Sequence, residues 1–142
     1  MSGAVLELSV ENRIEDLVRI NAGIDRFVRD AGLPDSPRRA LFLVVEELFT
    51  NAVHHGYEDN RADGVDILVE HTGDSIRLVM RDGGKPFDVA ETPTGPGEDV
   101  ELQNIRIGGL GLYLVHELAA SVTNRRVGDM NVTEVLLPIE AA

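Results

Sequence analysis

The sequence predicts an α+β fold, a two-layer α/β sandwich with a mostly antiparallel sheet and three helices on one face, and three patterns carry that prediction. Val65, Ile67 and Val69 alternate with polar residues, as do Ile76, Leu78 and Met80, with Gly73 and Asp74 between the two runs; this is a hairpin. Two long segments instead carry apolar residues at helical spacing, Ile14 to Val28 and Leu41 to Asp59. A compact apolar segment, Leu110 to Ala120, then precedes a second pair of strand-like runs. The order βαα, hairpin, loop, α, hairpin puts helices on one face of a largely antiparallel sheet.

Each element has a local reason. Leu6 to Val10 is a short strand, and Ile14, Leu17, Val18, Ile24, Phe27 and Val28 mark the helix it feeds. Gly32, Leu33, Pro34 and Asp35 punctuate; Ser36 can cap the second helix, with Pro37 at its first position and Gly56 at its end. The first hairpin delivers Asp82 at its exit. Residues 83–108 hold many Gly, Pro and acidic residues without periodicity; a connector of that length in a compact domain is usually functional, and it reads as a lid over a ligand. Val122 to Val127 and Val132 to Leu137 turn at Gly128 and Asp129, and Pro138 ends the last strand. No internal repeat or composition break divides residues 1–142, so one domain is expected.

Composition narrows the function. The chain has 142 residues, 43% hydrophobic and 27% charged, enough for one domain with a real core. With no cysteine, neither a disulfide framework nor a thiolate zinc site can form, and a reducing compartment is the natural home. The first apolar run carries acids and lacks a basic flank, which argues against a signal peptide, and no apolar run approaches the roughly 20 residues of a membrane span. A cytoplasmic protein without membrane contact is expected. The net charge of −12, with Lys85 the only lysine, argues against direct nucleic-acid binding. Bound phosphates would need local neutralisation by a divalent metal and by N–H groups at helix starts.

Chemistry concentrates in three places. Glu47, Asn51 and His55 lie four residues apart on one stripe of an otherwise apolar helix, where polar groups are costly to bury without ligands. Asn51 either caps a neighbouring backbone group or gives its carbonyl oxygen to a magnesium ion. Glu47 is either a buried ion-pair partner or a base for an incoming hydroxyl. Glu46, about 100° round the helix, reads as a surface or rim acid. His54 and His55 are adjacent and diverge, which disfavours a shared metal; His55 either packs or supports the site indirectly. Asp82, before Gly83 and Gly84, is either a solvated turn residue or an acceptor for the amino group of a base. Gly108, Gly109 and Gly111 open a helix, as a plain turn or as a phosphate cradle. The segment is neither a Walker loop nor a dinucleotide fingerprint.

Together EELFTNAVHH, DGGKPFD and GGLGLYLV resemble the N, G1 and G2 boxes of the Bergerat-fold (GHKL, histidine kinase-like) ATPases, and more narrowly those of the bacterial anti-sigma factor serine/threonine kinases. The resemblance covers nearly the whole chain in the right order. It implies ATP and Mg²⁺ as ligands, with Asn51 on the metal and Glu47 as general base. It implies that Asp82 reads the adenine amino group, that Gly84 lets the ring approach, that Gly109, Leu110, Gly111 and Leu112 bind the nucleotide under the lid, and that Thr133 touches the adenine side. One departure is that Lys85, Pro86 and Phe87 replace the second glycine of the first glycine box, a variant similar to the anti-sigma subgroup. The implied partners are a STAS-domain anti-anti-sigma protein, phosphorylated on Ser or Thr, and a sigma factor whose basic surfaces suit an acidic protein; a homodimer is also implied. Three other readings stand beside it: a non-catalytic nucleotide-binding anti-sigma module, a detached ATPase domain of a sensor histidine kinase, for which 142 residues leave no room for the phospho-acceptor helices, and a plain α+β interaction domain.

Overall fold

In a computed structural model, which describes residues 4–57, 61–86 and 110–139, the alternating runs pair into one sheet. Strands β1 (Val5–Glu11), β2 (Gly64–Thr72), β3 (Ser75–Asp82), β4 (Ser121–Val127) and β5 (Met130–Pro138) lie in the order β1-β2-β3-β5-β4. Every neighbouring pair is antiparallel. The turns fall where glycine tolerates a left-handed backbone, at Gly73 (φ 59) and Gly128 (φ 62).

The helices are α1 (Leu17–Ala31), α2 (Asp35–Gly56) and α3 (Leu110–Leu118). The stripe Ile20, Ile24, Phe27 and Val28 of α1 is buried with Leu41, Val44, Val45, Leu48 and Phe49 of α2 and Val115 of α3. These side chains meet Val10, Val65, Ile67, Val69, Leu78, Met80, Val135 and Leu137 on one sheet face, each contributing about 1.5–3 kcal/mol by leaving water. Asp16, which ends a short 3-10 turn, joins β1 to α1. It accepts hydrogen bonds from the Glu11 backbone N–H and from Arg13, each at 2.8 Å, and these hold its carboxyl below the usual range.

One boundary differs from expectation. Helix α2 begins at Asp35, with the extended Pro34 as its N-cap and no side-chain cap, so Ser36 and Pro37 lie inside the first turn. Amide donors in a first turn have no intrahelical partner, so Pro37 costs nothing there. Asp35 meanwhile complements the partial positive charge of the helix start.

The register builds the site. On the helix-facing side of the sheet, one cross-strand row runs Leu6, Val69, Leu78, Val135, Val122 and is wholly apolar. The next row runs Leu8, Ile67, Met80, Thr133, Asn124, and the third Val10, Val65, Asp82, Asn131, Arg126. Polarity therefore rises toward one corner, where β3 ends beside β5 and β4. That corner faces the C-terminal half of α2.

Candidate functional site

At this corner Leu48, Asn51, Ala52, Met80, Asp82, Asn124 and Thr133 line a cleft of about 360 Å³, counted out to its open mouth. Asp82 is 7% exposed, and a carboxylate so buried must have donors. Two reach its Oδ1, the Gly84 backbone N–H and Asn131 Nδ2, each at 3.0 Å. Among the described residues none reaches Oδ2, so one oxygen is held and the other is unfilled. Thr133 Oγ1 accepts from Asn124 Nδ2 at 2.8 Å, which turns the hydroxyl proton free for another acceptor.

The segment after Asp82 is fixed to the end of α2. Lys85 N donates to the Gly56 carbonyl at 2.8 Å. A Cβ on Gly84 would lie 2.9 Å from both the Cα and the carbonyl oxygen of Gly56, so only glycine allows the two backbones to pass. The expected role of Gly84, ring approach, thus has a second cause in protein packing. Of residues 83–86, the start of the expected lid, Lys85 lines the cleft; residues 87–108 of that lid, and Gly109, lie outside the described residues.

Asn51 faces the cleft from α2 at 6% exposure, and its side-chain amide makes no hydrogen bond within the described residues. Its Nδ2 is buried without a partner. An orphaned amide N–H costs about 1–3 kcal/mol, and no backbone cap by Asn51 is found among the described residues. No three His, Asp or Glu side chains among the described residues converge to hold a metal on their own. The donor set fits an ion that takes one amide oxygen and completes its shell with phosphate oxygens and water, the habit of magnesium.

Glu47, one turn earlier, leaves the cleft wall and lies against the first turn of α3. A Cβ built on Gly111 would collide with its carboxylate, so the glycine makes room for the acid. No donor among the described residues reaches that carboxylate, and burial, with a smaller contribution from the charge of Glu46, raises its pKa. Among the described residues Glu47 makes no ion pair, the other reading of this acid. A half-buried carboxylate of raised pKa beside a helix start is suited to taking a proton.

Of the residues singled out in the sequence, Asn51, Asp82 and Thr133 share the cleft, and Glu47 and Gly111 meet beside it. Leu112 packs on the core; Leu110 opens α3. Glu46 and His54 are exposed, as their helix positions predict, while His55 is partly buried and outside the cleft lining. Sequence reasoning missed Asn124, Arg126 and Asn131. For the two asparagines the signal was a residue depleted in strands at the in-facing phase set by Val135 and Leu137; Arg126 carried no such signal.

A two-layer α+β domain whose polar sheet corner meets an uncommitted helix amide, next to a helix opened by glycine, has the build of a nucleotide-binding ATPase domain. The chain belongs to the histidine kinase-like ATPase domain family, whose model matches residues 10–137. It is similar to Serine-protein kinase RsbW of Staphylococcus aureus, strains JH9 and Newman, at 38% identity over 85 residues, covering 57% of this chain and 54% of each relative. The chain thus spans about half the length of the curated relatives it matches. The crystal structure of the RsbU and RsbW domains of Rv1364c from Mycobacterium tuberculosis superposes with a TM-score of 0.66 over 98% of this chain and 33% of that one. At 13% identity that likeness shows the shared fold. No helix among the described residues is long and apolar enough to cross a membrane.

Proposed function

We propose that the protein is an anti-sigma factor serine/threonine kinase: it binds MgATP, phosphorylates a STAS-domain anti-anti-sigma protein and sequesters a sigma factor when that antagonist is spent. The observation that carries the reading is Asn51, whose buried Nδ2 has no partner among the described residues, in the same cleft as the half-filled carboxylate of Asp82. The serine-protein kinase name of the relatives at 38% identity supports the choice of reaction.

In this reading Asp82 Oδ2 accepts a hydrogen bond from the adenine amino group, Thr133 lies on the same side of the ring, and Asn51 offers its amide oxygen to the metal. Bound magnesium supplies charge neutralisation on the phosphates. The first turn of α3, with Leu110, Gly111 and Leu112, offers N–H groups and a helix start that attract the phosphates, and Gly109 is proposed as a further nucleotide-binding residue. Glu47 takes the proton from the Ser or Thr hydroxyl as its oxygen bonds to the γ-phosphorus and the bond to the ADP oxygen breaks, an in-line transfer in which positioning supplies most of the rate. The acidic chain, at −12, matches the basic surfaces of a sigma factor. The protein is expected to act in the cytoplasm, as a single domain and as a homodimer.

Incubation with γ-labelled ATP and a STAS-domain protein encoded nearby tests the reading. Label on a Ser or Thr of that protein is expected. Nucleotide binding without any transfer would leave a non-catalytic anti-sigma module in place of the kinase.

A further inference from the structure

Three consecutive main-chain carbonyls after Asp82 are each captured by a side chain from a different part of the fold. Arg61 Nη2 donates to Gly83 O at 2.7 Å, Arg126 Nη1 to Gly84 O at 2.7 Å, and Asn131 Nδ2 to Lys85 O at 2.9 Å. Arg126 Nη1 also donates to Asn131 Oδ1 at 3.1 Å. That last bond matters because an asparagine amide has two ends of nearly identical shape and opposite polarity. A guanidinium only donates, so Arg126 fixes the oxygen end of the amide while the acceptors Asp82 Oδ1 and Lys85 O hold its NH₂ end, and the three contacts agree on one orientation.

The consequence reaches the ligand side of the cleft. Asp82 Oδ1 is already filled by the Gly84 N–H and by Asn131, so the carboxylate cannot rotate without losing two donors. Its Oδ2 is then a fixed, acceptor-only atom. We propose that Arg126 is a positioning residue that sets which purine the cleft accepts: through Asn131 it locks Asp82 so that a 6-amino ring finds an acceptor and a 6-oxo ring meets a second acceptor. Without Arg126 the Asn131 oxygen and the Gly84 carbonyl lose their donor and Asn131 is held by its NH₂ contacts alone, so Asp82 is held less rigidly, can shift away from a 6-oxo group, and the rejection of that ring weakens. The proposal rests on the reading of the cleft as an adenine-nucleotide site.

The test is calorimetric titration of the full chain with MgATP and with MgITP, whose base carries a 6-oxo group, using wild type, Arg126→Met and Arg126→Lys. Methionine keeps an unbranched apolar stem without a donor; lysine keeps a cation that can donate to both oxygens. The wild type should prefer ATP, Arg126→Met should lose about tenfold or more of that preference, and Arg126→Lys should recover most of it. Loss of affinity for both nucleotides by the same factor would make Arg126 a mere brace and overturn the proposal, as would an unchanged preference in Arg126→Met. A wild type that binds neither nucleotide overturns the functional reading and this proposal with it, whereas a wild type that binds ATP beside an unaltered Arg126→Met overturns this proposal alone.

Discussion

Replacing Asn51 by leucine exchanges the orphaned amide for an apolar group of nearly the same shape, so the effects on stability and on binding should have opposite signs. The Asn51 side chain sits at 6% exposure with Nδ2 unpartnered, and its nearest helical neighbour toward the core is the buried Leu48. Relief of an unsatisfied buried group is worth about 1–3 kcal/mol. The opening of the cleft to solvent takes part of that back, so a gain of about 1 kcal/mol is expected, or roughly 3 °C in Tm for a chain of this size. The same change removes the amide oxygen intended for the metal. Thermal unfolding should therefore show Asn51→Leu melting above the wild type without nucleotide and below it with MgATP, since saturation at about 100 times Kd adds roughly 2.7 kcal/mol to a protein that binds. Asn51→Ala, which leaves a cavity, should gain nothing in the first condition. If Asn51→Leu melts well below the wild type without ligand, or keeps a full MgATP shift, Asn51 is a structural residue and the site assignment fails.

Glu47→Gln should bind MgATP as the wild type does and transfer phosphoryl about 10²-fold more slowly or worse, as measured by single-turnover labelling; equal rates would remove Glu47 as the base. Because burial raises the Glu47 pKa and the Glu46 charge adds to it, and because the base must be ionised, transfer should fall with decreasing pH at a midpoint above that of an ordinary glutamate. Glu46→Gln should move that midpoint down, and a midpoint that stays put would show the acid limb belongs to another group. Gly84→Ala forces a Cβ to within 2.9 Å of the Gly56 backbone, which cannot yield as a side-chain tip would; a loss of about 1–3 kcal/mol in denaturant unfolding is expected, with weaker ATP binding, and a neutral result would mean the two backbones are not apposed. Chelation of divalent metal should weaken ATP far more than adenosine, and equal loss of both would place the metal away from the phosphates.

Much of this fold was legible because its signals are periodic. The alternation at Val65, Ile67, Val69 and at Ile76, Leu78, Met80 fixes both register and core face, since a slip by one residue would bury Asp66 or Arg77. The start of α2 was less legible. Ser36 followed by Pro37 has the chemistry of a cap and first position, yet Pro34, extended at ψ 168, already supplies the turn into the helix. On the site side, Asn51 and Asp82 could be picked out because polar groups interrupt an apolar helix and end an apolar strand. Arg126 and Asn131 could not, since their roles depend on which strand lies beside β3, and sequence order does not announce that β5 rather than β4 takes that place.

The two halves of the proposed nucleotide site are built on different physical terms. The base side is a network of neutral amides around one carboxylate: Asn131 and the Gly84 N–H satisfy Oδ1 of Asp82, while Asn124 orients Thr133. Such a network adds only one formal charge, that of Asp82, to an acidic protein of net charge −12, and its amide donors are aimed at that charge. Of the cations near this side, Arg61 and Arg126 donate to the carbonyls of Gly83 and Gly84, while Lys85 lines the cleft. In the proposed site a metal at Asn51 and the helix start at Gly111 would meet phosphate charge, both at contact range where screening is weak. Glu47, placed against that helix start, competes with an incoming phosphate for the same partial positive charge. Its raised pKa eases the conflict, since a proton on the carboxyl removes the repulsion at the moment the acceptor hydroxyl has delivered it.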